Sequence, residues 1–298
     1  VEWLEVSVEV DGEAAEAVAE ALSRYVYRGV AIEAGPGGLT SGPVVVRAYL
    51  PAGEDLSGRK RRIEEALYHL GRIWPVPSPR FRPVAAEDWT EVWKERFDVM
   101  HVTERIVVRP SWKSYDAGPG ELVITLDPGQ AFGTGLHPTT RMCLQLLEHG
   151  VQEGGSVLDL GTGSGILAIA AAGLGAAQVL AVDNDPVAAE CACTAVAVNN
   201  VADRVEVRHG TLADVPGSYD VVVVNILARV VMEMLADGLA DRVDRGGLLI
   251  ATGILEEQAG DVEQALARSG LGCGSRLREG DWVCLTARRT IAGAGQTA

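Results

Sequence analysis

The stretch Val157-Leu-Asp-Leu-Gly-Thr-Gly-Ser-Gly-Ile-Leu167, followed by Val182-Asp183, constrains this chain more than any other segment. Its apolar start predicts a buried strand, glycines at alternate positions predict a sharp turn, and the apolar run from Ile166 predicts a helix. A second strand over 179–182 then ends in a carboxylate. Strand, glycine turn, helix, strand and acid make half of a nucleotide-binding α/β unit, whose ligand sits where the strand order reverses. Further apolar runs at 205–208, 221–224 and 248–252, with a final strand at 282–287, predict a mostly parallel sheet covered on both faces.

The glycine spacing narrows the ligand. A dinucleotide fingerprint needs its third glycine at position 166, which is Ile166 here. The pattern present, Gly161, Gly163 and Gly165, suits a ligand without a pyrophosphate and favours S-adenosylmethionine over NAD. Asp183, 18 residues past Gly165, can accept both ribose hydroxyls of an adenosine. The same diol occurs in NAD, and Asn184-Asp185-Pro186 after it would start a helix in any protein. Asp159, inside the first strand, can accept hydrogen bonds from amides of the glycine turn, a structural role.

At 298 residues the chain has room for two domains. In the first, Leu4, Val6, Val8 and Val10 alternate with polar residues as a half-buried strand does. Val18, Leu22, Tyr25 and Val26 fall on one helical stripe, and Ile63, Leu67 and Leu70 on another. With short strands near 30–33, 44–50 and 81–85, the order is βαββαβ, that of a ferredoxin-like fold. Residues 1–86 are therefore read as a small α+β, ferredoxin-like domain. Residues 87–104 are read as a linker helix with Trp89, Trp93 and Phe97 as packing, and 105–298 as the Rossmann-like catalytic domain. The apolar stretch 166–182 reads as buried helix and strand rather than a membrane span.

Charge and cysteines bound the partners. A formal charge of −15 opposes a broad grip on nucleic-acid backbone and suits a basic partner. The one basic run, Arg59-Lys-Arg-Arg62, reads as a solvated helix face. Five cysteines without a C-x-x-C pair make a zinc site or disulfide framework a poor fit, and no metal is expected. The start, Val1-Glu-Trp-Leu-Glu, has no leader-like region, so a cytoplasmic location is expected.

Two further segments carry candidate chemistry. Ala131-Phe-Gly-Thr-Gly-Leu-His-Pro-Thr-Thr140 is a glycine-rich loop opening a helix, with Phe132 and Thr140 as candidate cofactor contacts. Thr140 can turn its hydroxyl toward the methionyl end of the cofactor. Tyr219-Asp-Val-Val-Val-Val-Asn225-Ile-Leu-Ala228 puts a polar side chain at the exit of a central strand. Asn225 there can accept a hydrogen bond from an amine and orient its lone pair; the plainer reading is a helix N-cap.

These segments, in this order and spacing, closely resemble the PrmA family, the methyltransferases of the large-subunit ribosomal protein L-eleven. The resemblance covers roughly residues 89–289, including Pro110-Ser-Trp112, while the first domain matches in size and pattern only. It implies S-adenosylmethionine contacts at Thr140, Gly161, Asp183 and Asn225, to which Gly163 and Phe132 are added as neighbours in the same motifs. It also implies methylation of lysine ε-amines and the N-terminal α-amine, with the first domain capturing the ribosomal protein. A monomer without membrane or direct nucleic-acid partner is expected. Leu136 stands where Thr or Asn is expected before His137. Rival readings are a methyltransferase acting on glutamine or a nucleobase amine, a non-catalytic S-adenosylmethionine-binding module, and an NAD-dependent reductase. The first usually carries Asn-Pro-Pro-Tyr where this chain has Asn225-Ile-Leu-Ala228.

Overall fold

A computed structural model of the protein describes residues 3–10, 12–23, 25, 30–33, 44–51, 55–71, 75–84, 98–127 and 137–290. The chain divides into two compact units, Val1–Phe97 and Asp98–Ala298.

In the first unit β1 (Trp3–Val10), α1 (Gly12–Ser23), β2 (Val30–Glu33), β3 (Val44–Pro51), α2 (Leu56–Leu70) and β4 (Arg80–Val84) follow the expected ferredoxin-like order. The antiparallel sheet runs β2-β3-β1-β4. Alternation explains its register. Leu4, Val6, Val8 and Val10 pair with Leu50, Ala48, Val46 and Val44, all buried. Ala14, Val18 and Leu22 of α1 and Ile63 and Leu67 of α2 complete that core. Glu5, on the other side of the pleat, is also buried, because Arg47 (2.7 Å), Arg82 (3.2 Å) and Tyr49 (3.3 Å) surround its carboxylate.

The second unit opens with a small sheet of β5 (Met100–His101), β6 (Ile106–Arg109) and β7 (Leu122–Thr125). Of the expected linker helix, 87–97 lie outside the described residues. The remainder, 98–104, is not helical: Met100 and His101 pair with Val108 and Val107. A strand of two residues is too short to leave a periodic signal.

There follow α3 (Pro138–Gly150), β8 (Ser156–Leu160), α4 (Ile166–Gly173), β9 (Gln178–Asp183), α5 (Pro186–Val198), β10 (Val205–His209) and β11 (Tyr219–Asn225). The chain ends with α6 (Ala228–Ala236), β12 (Val243–Leu255), α7 (Ala259–Arg268), β13 (Leu271–Glu279) and β14 (Trp282–Arg289). The seven-stranded sheet runs β10-β9-β8-β11-β12-β14-β13, and β14 alone runs opposite to the other six strands. Successive residues feed opposite faces. Val157, Val179, Val221 and Ile250 join the core under α3 and α4, whereas Leu158, Leu180, Val222 and Leu249 join the one under α6 and α7. Both faces are covered, which is why these strands read as continuous apolar runs. The order reverses at β8, with β9 on one side and β11 on the other, so the crevice lies at their carboxyl ends. Among the described residues no helix is long and apolar enough to cross a membrane.

Candidate active site

The turn after β8 is built on left-handed backbone. Gly161, Gly163 and Gly165 have φ of +79°, +56° and +82°, a region that L side chains enter only with strain. A Cβ on Gly161 would lie 2.6 Å from Cγ2 of Ile226. The amides of Gly161 and Thr162 both donate to Val182 O, at 2.8 and 3.1 Å, which ties the turn to the end of β9. Ile166, at the position of the missing third glycine, is a buried residue of the first turn of α4.

Asp159 fixes this turn from below. Its Oδ2 accepts the Thr162 hydroxyl at 2.6 Å and the Ala168 amide at 3.1 Å. The amide that it accepts thus belongs to α4, and a threonine hydroxyl stands in for the glycine amides expected. The side chain is fully buried, and Oδ1 has no hydrogen-bond partner among the described residues. Burial pushes the carboxyl up to about 7, against the opposing pull of its bonds to Thr162 and Ala168.

Asp183 closes the end of β9. Oδ2 accepts the Gly163 amide at 2.8 Å, and Oδ1 accepts the Asp185 amide at 3.0 Å. A carboxylate has roughly four acceptor sites, so two backbone bonds leave capacity for a diol. Asp185, not Asp183, caps α5, accepting the Val187 amide at 2.9 Å with Pro186 in the first turn.

Asn225 ends β11, next to β8, and pairs in register with Thr252 of β12. It is not a helix cap: α6 begins after Leu227, whose side chain makes no capping bond. Ile226 donates its amide to Thr252 O at 3.2 Å. Its carbonyl oxygen would lie 2.1 Å from a Cβ on Gly253, where φ is +82°. The turn after β8, the turn after β11 and the carboxyl-terminal part of β12 therefore meet at Ile226. Gly253 and Ile226 escape sequence reasoning because their partners are far away along the chain; the lone glycine directly after a predicted strand was the only hint.

The fourth element is the start of α3. Thr140 is fully buried in its first turn, and Oγ1 has no hydrogen-bond partner among the described residues. His137 is the N-cap: Nδ1 accepts the Thr139 amide at 3.3 Å and lies 2.7 Å from the Thr139 hydroxyl. Its ring meets Trp282 edge-on, with centroids 5.0 Å apart. Arg141 pairs with Glu279, so α3 is also held to the end of β13. Phe132 and the rest of its loop, 128–136, lie outside the described residues.

Gly161, Gly163, Asp183 and Asn225 thus stand at the carboxyl ends of three adjacent strands at the reversal point. The cradle suits a nucleoside cofactor with a diol and no pyrophosphate: glycine backbone admits it closely, and Asp183 can receive the diol. Among the described residues the buried Thr140 hydroxyl has no partner, which suits a contact to a polar ligand. Sheet order, glycine turn and strand-end acid together define a Rossmann-like S-adenosylmethionine-dependent methyltransferase.

Comparison with known proteins agrees. The family model described as "Ribosomal protein L11 methyltransferase (PrmA)" matches residues 2–290. A Chloroflexus aurantiacus protein named Ribosomal protein L11 methyltransferase is 44% identical, over 96% of this chain and 98% of its own length. A protein of the same name from Herpetosiphon aurantiacus is 39% identical, over 98% and 100%. The crystal structure of a ribosomal protein L11 methylase from Lactobacillus delbrueckii subsp. bulgaricus is 33% identical. It covers 65% of this chain and 99% of its own, with a TM-score of 0.59. The chain belongs to the PrmA family and is a methyltransferase.

Proposed function

We propose that the protein binds S-adenosylmethionine at the crevice above β8 and methylates amines of the large-subunit ribosomal protein L11. The acceptors are lysine ε-amines and the N-terminal α-amine. The observation that carries this reading is the grouping of Gly161, Gly163, Asp183 and Asn225 at the strand-order reversal, in a chain whose relatives are named for that substrate.

When bound, the cofactor supplies a methyl group on a positively charged sulfur. The protein's own residues do the rest. Asp183 holds the ribose diol while keeping Gly163 in place, and Gly161 lets the backbone pass close to the nucleoside. Thr140 gives its hydroxyl to the methionyl end, and Phe132 is the remaining candidate contact to the cofactor. Asn225 accepts a hydrogen bond from the incoming amine and points its lone pair at the methyl.

The amine must arrive neutral. For a lysine of ordinary pKa about 10.4, losing the proton at pH 7 costs about 4.6 kcal/mol, against about 1.4 kcal/mol for an α-amine near 8. Desolvation in the crevice lowers that cost. His137 is not the base in this reading, because its Nδ1 is committed to the cap of α3. The first unit captures the ribosomal protein, and the charge of −15 draws in a basic partner. The enzyme acts as a cytoplasmic monomer, for which its five free thiols are suited.

The test is calorimetry with S-adenosylmethionine and, separately, NAD, followed by mass spectrometry of L11 incubated with enzyme and cofactor. Heat with the first compound only, and 14 Da increments on lysines and the N-terminus, support the proposal; the increment is about the mass of one CH2 added per methyl transferred. NAD binding alone, or an unmodified L11, overturns it.

A further inference from the structure

The described residues leave four large apolar side chains substantially exposed: Tyr68, Val187, Val198 and Leu227. Leu227 alone adjoins the residues that meet the reacting atoms. It stands two positions beyond Asn225, so their Cα atoms are at most about 7 Å apart. Its side chain is 56% exposed.

Leu227 also breaks a second local rule. It is the N-cap of α6, where Ser, Thr, Asp or Asn would accept a first-turn amide, and it makes no such bond. Exposed apolar surface and an uncapped helix at one position both oppose stability. Rule-breaking of this kind collects at sites kept for what they touch.

We propose that Leu227 is a specificity residue that packs against the four-carbon stem of the acceptor lysine. The proposal rests on the amine methylation of the preceding subsection and names the part of the substrate recognised there. A lysine carries an apolar stem below its charged head, and an aliphatic side chain can cover that stem while leaving the nitrogen to Asn225. Covering it also removes water from beside the amine, which favours the neutral form. An acceptor with a flat base or amide would instead call for the stacking aromatic of Asn-Pro-Pro-Tyr, and Ala228, next to Leu227, offers none. An α-amine has no such stem and should depend less on Leu227.

Leu227→Ser separates these effects, because serine is a better N-cap and the variant should melt at or above the temperature of the unsubstituted protein. Methylation of L11 is followed residue by residue by mass spectrometry. Lysine ε-methylation is expected to fall about tenfold through KM, the low end of what one apolar contact controls. N-terminal α-methylation and calorimetric affinity for S-adenosylmethionine should change little, and Leu227→Met should restore most of the lysine rate. Equal losses at both kinds of amine, an unchanged lysine rate, or a parallel loss of cofactor affinity would overturn the assignment while leaving the methyltransferase reading intact. An unsubstituted enzyme that modifies no amine would remove both.

Discussion

Asp183 Oδ2 accepts the backbone N–H of Gly163 at 2.8 Å. The acid suited to a ribose diol is thereby also a strut of the glycine turn, joining the ends of two neighbouring strands. Its other oxygen takes the Asp185 amide and steadies the start of α5. One side chain fixes both walls of the crevice before any ligand arrives, the kind of preorganisation that lowers the cost of binding.

Removing this carboxylate should therefore act twice. Asp183→Ala is expected to weaken S-adenosylmethionine by about 10- to 100-fold, as expected for hydrogen bonds to a charged acceptor, and to lower stability as Gly163 and Asp185 lose their partner. Asp183→Asn keeps one acceptor and should sit between. Calorimetry and urea unfolding on the same preparations read the two effects; full affinity in the alanine variant would contradict the diol role.

Gly161→Ala should destabilise by about 1–3 kcal/mol, since φ is +79° and the new methyl would come within 2.6 Å of Ile226 Cγ2. Shortening Ile226 to alanine removes the second problem but not the first. In urea melts the double variant should be less damaged than the sum of the singles, by about 0.5 kcal/mol or more. Strict additivity would mean that the two residues do not meet.

Asp159 predicts a pH dependence with a definite sign. Its carboxyl is raised from an ordinary 3.8 to about 7 by burial, so between those values the folded state holds a proton that the unfolded state has lost. The contribution is fully present below pH 3.8 and drains away as pH rises toward about 7. Asp159→Asn cannot lose a proton. Its stability relative to the unsubstituted protein should therefore grow from pH 5 to pH 8 by about 2 kcal/mol. A flat difference across that range in chemical denaturation would show that the buried acid does not titrate there.

Asn225→Ala should reveal an orienting group. Turnover is expected to fall about 100-fold while affinity for S-adenosylmethionine stays close to normal. Rapid-mixing kinetics beside calorimetry separates the two. Matching losses in both would place Asn225 in the cofactor cradle alone.

What the sequence discloses is what is encoded locally. The alternation Leu4, Val6, Val8, Val10 and the run from Val157 through the three glycines carry their own periodicity, and both folded as read. β13 escaped notice because, as the sheet's edge strand, it is mostly exposed and contains Gly272 and Gly274, so it shows no buried alternation. Glu5 reads as a solvent-facing residue of β1, yet Arg47 and Arg82, 42 and 77 residues away, bury it. At the site, Asp183 and Asn225 are legible as polar residues at strand exits. The strut from Asp183 to Gly163, the cap by His137 and the contact of Ile226 with two glycines are products of tertiary assembly. Nothing in a one-dimensional pattern announces them.

The convergence on Ile226 limits how this enzyme can be altered. Because its side chain abuts Gly161 of the turn after β8 and its carbonyl abuts Gly253 within β12, the turn after β11 cannot be enlarged or transplanted alone. A redesign meant to admit a bulkier cofactor analogue would have to exchange the two turns and this end of β12 together, as one cassette.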